Sequence, residues 1–274
     1  MAKRNLVISA FAGYNFNQLK PYVLSIQESV PNTDLVMVAG VTDDSTRTSL
    51  SSLGWKLIDL PYFKDIPIHV LRFLPMYDFL REHGDDYNLV VSTDVKDVIF
   101  QSNPFVWLEN NLHDKKLVAG SEALRYCDEP WGDDNLRSAY GGYVYERFKN
   151  NTIYNVGTLG GTADYMRDLF FNLFYNSLGK PIPIVDQAVF NVMIQTQPYR
   201  DTVLFAEQRL GWACQAGTVA DPNKMSYFRP NLLEPEPVWY NNQVFSADKK
   251  ELFTIVHQYD RVPEWRNFYG RKYR

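Results

Sequence analysis

The stretch STDVKDVIFQSNP, residues 92–104, follows the apolar run Leu89-Val90-Val91 and carries two carboxylates, Asp94 and Asp97, out to its end. In open α/β sheets the crevice beyond the carboxyl ends of the strands collects ligands, and two acidic groups there can hold a divalent cation against a diphosphate. The same spacing also suits a turn whose Asp side chains cap local backbone groups. Further chemistry-bearing residues are Arg72, the segment TIYNVGTLGGT with Asn155 and Gly157, the pair Asp186-Gln187, and His257 with Arg261 in IVHQYDR. A glycine at 157, 160 or 161 lets backbone approach another group where a side chain would block it.

Apolar runs alternate with helical patterns along the chain, the signature of βα units around a mostly parallel sheet. NLVISAF, DLVMVAG, WKLIDLP and YNLVVSTD read as four strands. QLKPYVLSIQESV, DDSTRTSLSSLG and HVLRFLPMYDFLREHG read as the helices between them, the last bending at Pro75 and ending at Gly84. The fold class is therefore α/β. NPFVWLENN reads as a short helix, KKLVAGSE as a strand, and residues 124–149 show no clear period. Long irregular segments of that kind are usually functional or mobile. ADYMRDLFFNLFYNSLG and VDQAVFNVMIQTQ read as helices, with Asp186 suited to an N-cap. LFTIVHQYD is strand-like and ends near His257, and a long polar tail is expected after it. The expectation is one domain over 1–274, with a nucleotide-binding half at 1–104 and an acceptor and sugar half at 105–274 that ends in a metal-binding strand.

With 274 residues, 45% of them hydrophobic, the chain can bury a sizeable core. A formal net charge of −4 offers no concentrated basic face for phosphate neutralisation, so no nucleic-acid partner is expected. Cys127 and Cys214 have neither zinc-ligand spacing nor enough company for a disulfide framework, which favours a reducing compartment. No stretch reads as a signal peptide or a membrane span, and the expectation is a cytoplasmic protein. Aromatic residues make up 15% of the chain, and rings with an apolar face and a polar tip suit a sugar groove as well as a core.

Taken in order, Arg72, the acidic pair, NVGTLGG, Asp186-Gln187 and IVHQYDR resemble the landmarks of GT-A glycosyltransferases, within them the glycogenin-like group of retaining sugar transferases. The resemblance covers most of the chain. It implies a Rossmann-like nucleotide-diphospho-sugar transferase fold and transfer of a sugar from a nucleotide-diphosphate sugar to a saccharide or glycan, with retention of anomeric configuration. It implies Asp94, Asp97 and His257 as ligands of Mn²⁺ or Mg²⁺, with neutral imidazole favouring Mn²⁺. The family writes its acidic motif as DxD. Here Lys96 takes the third place and Asp97 follows, so that Asp97 is the firmer ligand and Asp94 the displaced one. Lys96 itself can neutralise a diphosphate as a point charge, which leaves a metal-free route open.

By the same resemblance, Asp186 and Gln187 are catalytic, holding the sugar as an oxocarbenium-like centre develops. Donor-binding residues are Ala10, Phe11, Tyr14, Asp43, Arg72, Asp94, Asn155, Gly157 and Arg261, the arginines matching phosphate oxygens. The acceptor is expected at Glu122, Trp131, Asp134 and Arg137, in the segment that also holds Asp133 and Tyr140. Two rival classes stand beside this one. A catalytically silent sugar- or nucleotide-sugar-binding module gains ground if Lys96 blocks the metal. A sugar-phosphate nucleotidyltransferase needs a basic Gly-rich loop after the first strand, which FAGYNFNQ lacks.

Overall fold

The computed structural model describes residues 3–274. Its strands are β1 (Arg4–Phe11), β2 (Asp34–Ala39), β3 (Trp55–Asp59), β4 (Tyr87–Thr93), β5 (Val98–Phe100), β6 (Leu117–Arg125), β7 (Thr152–Thr162), β8 (Val203–Ala206), β9 (Ala213–Gln215), β10 (Val238–Tyr240), β11 (Gln243–Phe245) and β12 (Ile255–His257). Its principal helices are α1 (Phe16–Ser29), α2 (Asp44–Ser52), α3 (Ile68–Leu71), α4 (Phe73–His83), α5 (Pro104–Asn111), α6 (Pro130–Phe148), α7 (Ala163–Ser177) and α8 (Asp186–Ile194), and a last helix spans Pro263–Lys272.

The central sheet has seven strands in the order β3-β2-β1-β4-β7-β6-β8. β3, β2, β1 and β4 are parallel, β7 runs against both β4 and β6, and β8 is parallel to β6. Parallel strands buried on both faces read as continuous apolar runs, as LVI in β1 does. Leu6 and Ile8 point into the cluster under α4, α7 and α8, with Phe73, Met76, Phe170 and Phe190. Val7, between them, points the other way, against Leu19, Tyr22 and Val23 of α1. α1 is fixed at its start by a capping box, in which Asn15 accepts from the Gln18 backbone and the Gln18 side chain accepts from the Asn15 N–H.

A second, three-stranded sheet in the order β5-β12-β9 was not legible from the sequence. Only β12 was expected, as the strand-like LFTIVHQYD; β5 and β9 have three residues each, too few to show a period. Two further segments depart from expectation. Residues 130–148 are helical, not irregular, with the chain breaking direction at Gly141 (φ 72°, ψ 177°). Glycine-rich, weakly patterned helices of this kind hide from periodicity. The polar tail is a helix instead. It buries Trp265, Tyr269 and Tyr273 against Val256, Phe253 and Cys214, and these aromatics are spaced i, i+4, i+8 on one face.

Candidate functional site

β4 ends at Thr93, opposite Thr158 of β7, and the Asp94 N–H continues the ladder by donating to the Gly157 carbonyl at 3.0 Å. Asp94 is thereby set beside Gly157. A Cβ at 157 would stand 2.6 Å from Asp94 Oδ2, so only glycine leaves that carboxylate its place. Gly160 and Gly161 serve packing, since a Cβ there would meet the Trp212 ring at 2.9 Å and the Lys116 carbonyl at 2.3 Å.

The small sheet brings in the C-terminal histidine. β5 starts at Val98, right after Asp97, and pairs antiparallel with β12 so that Val98 faces His257. On its other side β12 pairs parallel with β9, placing His257 beside Gln215. Asp94 Oδ2 lies 3.5 Å and Asp97 Oδ1 3.7 Å from His257 Nε2. His257 Nδ1 is 2.8 Å from Gln215 Oε1, while Gln215 Nε2 donates to Thr158 Oγ1 at 2.8 Å. With Nδ1–H donating to Gln215, Nε2 turns a lone pair toward two carboxylates.

These are three acceptors with no donor between them, an arrangement that a cation satisfies. Among the described residues no three His, Cys, Asp or Glu side chains are drawn together tightly enough to enclose an ion by themselves. The separations exceed the roughly 3 Å edge of an octahedron with ligand distances of about 2.1 Å. The donor set of two carboxylates and an imidazole nevertheless fits Mn²⁺ or Mg²⁺ in an open site that a diphosphate would complete.

Arg72, between α3 and α4, ties Asp94 to Asp186. Its side chain is 11% exposed, and it donates through Nη1 to Asp94 Oδ1 at 2.5 Å and through Nη2 to Asp186 Oδ2 at 2.9 Å. Its Nε is buried without a partner. Burial works against the Asp94 charge, but Arg72 and His257 outweigh it and hold that carboxyl below the usual range. Asp97 is pushed up, chiefly by burial and then by Asp94 despite the opposing pull of His257. Asp186 is also pushed up by burial, against the pull of Arg72. Asp186 is not the N-cap of α8. Val185 occupies that position, and Asp186 is the first helical residue.

Gln187 donates through Nε2 to Glu122 Oε1 at 2.9 Å, and Asn155 Nδ2 donates to the same oxygen at 2.7 Å. Asn155 Oδ1 accepts from the Gly157 N–H at 2.7 Å. Glu122 is buried at the end of β6, where Ala123 takes a left-handed φ of 57°, and burial raises its carboxyl.

Two adjoining cavities of about 290 and 300 Å³ open here, with His69, Arg72 and Asp94 forming the wall they share. One lies toward Ala10, Phe11, Tyr14, Lys96, Asp97 and Arg261. The other lies toward Glu122, Trp131, Asn155, Gly157, Asp186 and Gln187, with His257 at its wall. Asp43 is in neither, and its carboxylate caps α2 by accepting from the Thr46 N–H at 2.7 Å. Asp134 and Arg137 are on the outer side of α6, beyond the cavity walls, and Arg137 covers the Tyr145 ring at 3.8 Å. Tyr145 donates to Asp133 at 2.6 Å, and Lys180 sits over the Tyr140 ring at 3.7 Å.

No protein-family model matches the chain, and no curated protein sequence does. Solved structures do. WbbM, a bifunctional glycosyltransferase in its apo form, superposes with a TM-score of 0.59 at 13% identity over 99% of this chain and 52% of its own. The galactosyltransferase LgtC, in complex with donor and acceptor sugar analogues, gives 0.55 at 14% identity over 97% and 95%. The chain has the GT-A fold. The glycosyltransferase GlyE of Streptococcus pneumoniae TIGR4 gives 0.52 at 15% identity, covering 94% of this chain and 55% of that one. The chain thus spans about half of WbbM and GlyE and nearly the whole of LgtC.

On this GT-A scaffold three site residues escape sequence reading. His69, three residues before Arg72, shares a helical face with it, a signal available from spacing alone. Gln215 and Gln258 carry no local signal. Gln258 follows His257 with a left-handed φ of 58° and accepts from the Gly217 N–H at 3.0 Å. No helix among the described residues is long and apolar enough to cross a membrane.

Proposed function

We propose that this protein is a glycosyltransferase that moves a sugar from a nucleotide-diphosphate sugar to a saccharide or glycan acceptor, with retention of anomeric configuration. The observation that carries this reading is the meeting of Asp94, Asp97 and His257, with Arg72 joining the acidic pair to Asp186. Residues from four separate parts of the chain meet where two cavities adjoin, with Arg72 and Asp94 in the wall between them. The division suits a donor whose nucleotide lies toward Ala10, Phe11 and Tyr14 and whose sugar lies toward Asp186 and Gln187.

Asp94, Asp97 and His257 would hold Mn²⁺ or Mg²⁺. Such a cation supplies Lewis-acid neutralisation of the diphosphate as charge builds on it. Lys96 and Arg261, both at the nucleotide-side cavity, add positive charge to the leaving group. In the transfer, the bond from the anomeric carbon to the diphosphate oxygen breaks and its electron pair stays with that oxygen. The acceptor hydroxyl oxygen forms the new bond to the anomeric carbon, and its proton passes to the departing diphosphate. Asp186, anchored by Arg72, and Gln187, anchored by Glu122, orient the sugar and face the positive charge that develops at the anomeric carbon. Asn155, held between Glu122 and the Gly157 N–H, lines the same chamber. Trp131, 47% exposed at the cavity rim, offers a stacking face for the acceptor. In support of an active-site glutamine, LgtC has been solved as an active-site variant in which a glutamine is replaced by glutamate.

The test is incubation with Mn²⁺ and a panel of sugar nucleotides, read as slow donor hydrolysis and, with an acceptor, as product anomeric configuration by NMR. Hydrolysis of one donor that stops on chelation is expected. Tight donor binding with no diphosphate release under any condition would mark a silent binding module instead.

A further inference from the structure

A third cavity, of about 520 Å³, lies between the end of α6, the start of β7, the segment after α8, and β8. Thr152 at the start of β7 pairs with Arg125 at the end of β6, and β8 runs parallel to β6. The cavity therefore opens at the same edge of the sheet as the donor cavities. α8 links them, with Asp186 in its first turn and Gln195 just past its last, so these two residues are separated by about 13 Å along the helix at 1.5 Å per residue.

Its lining includes Arg147 and Arg200 and contains no carboxylate among the described residues. Arg72, Arg137 and Arg167 each sit against an aspartate, but neither Arg147 nor Arg200 has a carboxylate within 4.0 Å among the described residues. The rings of Tyr154 and Phe205, in the same lining, pack with centroids 4.8 Å apart. Asn191 accepts from the Tyr154 N–H at 2.8 Å and donates to its carbonyl at 2.7 Å. Gln195 donates to the Thr152 carbonyl at 3.1 Å and accepts from Asn151.

Two unpaired guanidinium forks, a pair of packed rings and the exposed side-chain amide of Asn150 form a set that matches one chemistry. Arginine forks pair with carboxylate or phosphate oxygens, ring faces take the apolar face of a sugar, and amides bond hydroxyls. We propose that this cavity binds a saccharide bearing carboxylate or phosphate groups, and that it engages a segment of the acceptor remote from the reacting hydroxyl. The second part rests on the glycosyltransferase reading above. A nucleic acid is the poorer match, because a chain of net charge −4 lacks the extended basic track that polyphosphate needs.

The experiment titrates the intact protein calorimetrically with tetragalacturonate, glucose 6-phosphate, maltotetraose and inorganic phosphate, and repeats it on the Arg147→Ala/Arg200→Ala double variant. At least one of the two anionic saccharides should bind, with maltotetraose and inorganic phosphate at least about tenfold weaker, and the double variant should lose about tenfold or more. Which of the two binds separates a carboxylate from a phosphate ligand. Donor hydrolysis should be unchanged in the double variant, since both arginines are outside the donor cavities. Failure of both anionic saccharides to bind, equal binding of maltotetraose or phosphate, or undiminished binding by the variant would overturn the proposal. A protein that binds the anionic saccharide but hydrolyses no donor would refute the transferase reading and leave the cavity assignment standing.

Discussion

At the scale of single residues, the site depends on groups that hold other groups still. Gln215 accepts from His257 Nδ1 and is itself fixed through Thr158, so it sets which ring nitrogen faces the aspartates. Gln215→Leu should weaken Mn²⁺ binding by about 10- to 100-fold, as loss of an outer partner of a metal-ligating imidazole does. Calorimetric titration with Mn²⁺ checks this; a variant that loses stability yet keeps its cation affinity would reduce Gln215 to core packing. Asp186 takes the second nitrogen of the Arg72 fork, in a setting where burial makes its charge expensive. Asp186→Asn keeps the shape and removes the charge. Turnover is expected to fall by roughly 100-fold, the scale of losing one electrostatic contact in a buried active site, with donor affinity falling far less. Normal turnover in a folded variant would remove Asp186 from the chemistry. Among the residues read from sequence, Asp43 shows how local fitness misleads: an Asp before a helix is a good N-cap and is spent as one.

At the scale of elements, α6 and the C-terminal helix mark where periodicity fails. Between Pro130 and Phe148 the core-facing positions are Gly132, Leu136, Ala139, Tyr145 and Phe148, a face diluted by small residues and interrupted at Gly141. Gly141 has φ 72° and ψ 177°, a backbone region that side-chain-bearing residues avoid, while a Cβ there would meet nothing within 4 Å. Gly141→Ala therefore isolates the backbone term. Urea denaturation should show a loss of about 1–3 kcal/mol, with donor binding unaffected. No loss would mean that the helix can run through the break. Strands β1 to β4 and helices α1, α2 and α4 were legible because each repeats its pattern over five residues or more. β5 and β9, at three residues each, were not, and together with β12, which the strand-like LFTIVHQYD had announced, they carry the register that seats His257.

At the scale of the whole molecule, the sheet and a second small sheet bring Asp94 and Asp97 against an imidazole about 160 residues downstream, a long-range closure that spacing alone cannot reveal. The individual landmarks were legible in the sequence through their resemblance to a family. Their meeting, the partition of the crevice into two chambers by Arg72 and Asp94, and the seating of Glu122 beside Gln187 emerge only from the folded chain. Lys96 lines the cavity toward Ala10 and Tyr14 with its ammonium 5.8 Å from the Tyr14 ring, so under the proposed function the cation and the lysine are competing ways to neutralise one diphosphate. Nucleoside diphosphate binding, measured calorimetrically with and without Mn²⁺ on the wild-type protein and on His257→Ala, separates them most directly. The account predicts that Mn²⁺ tightens binding at least about tenfold in the wild type, a gain of about 1.4 kcal/mol, and that His257→Ala abolishes the gain. Equal affinity in chelator and in Mn²⁺, unchanged by the His257 substitution, would contradict it.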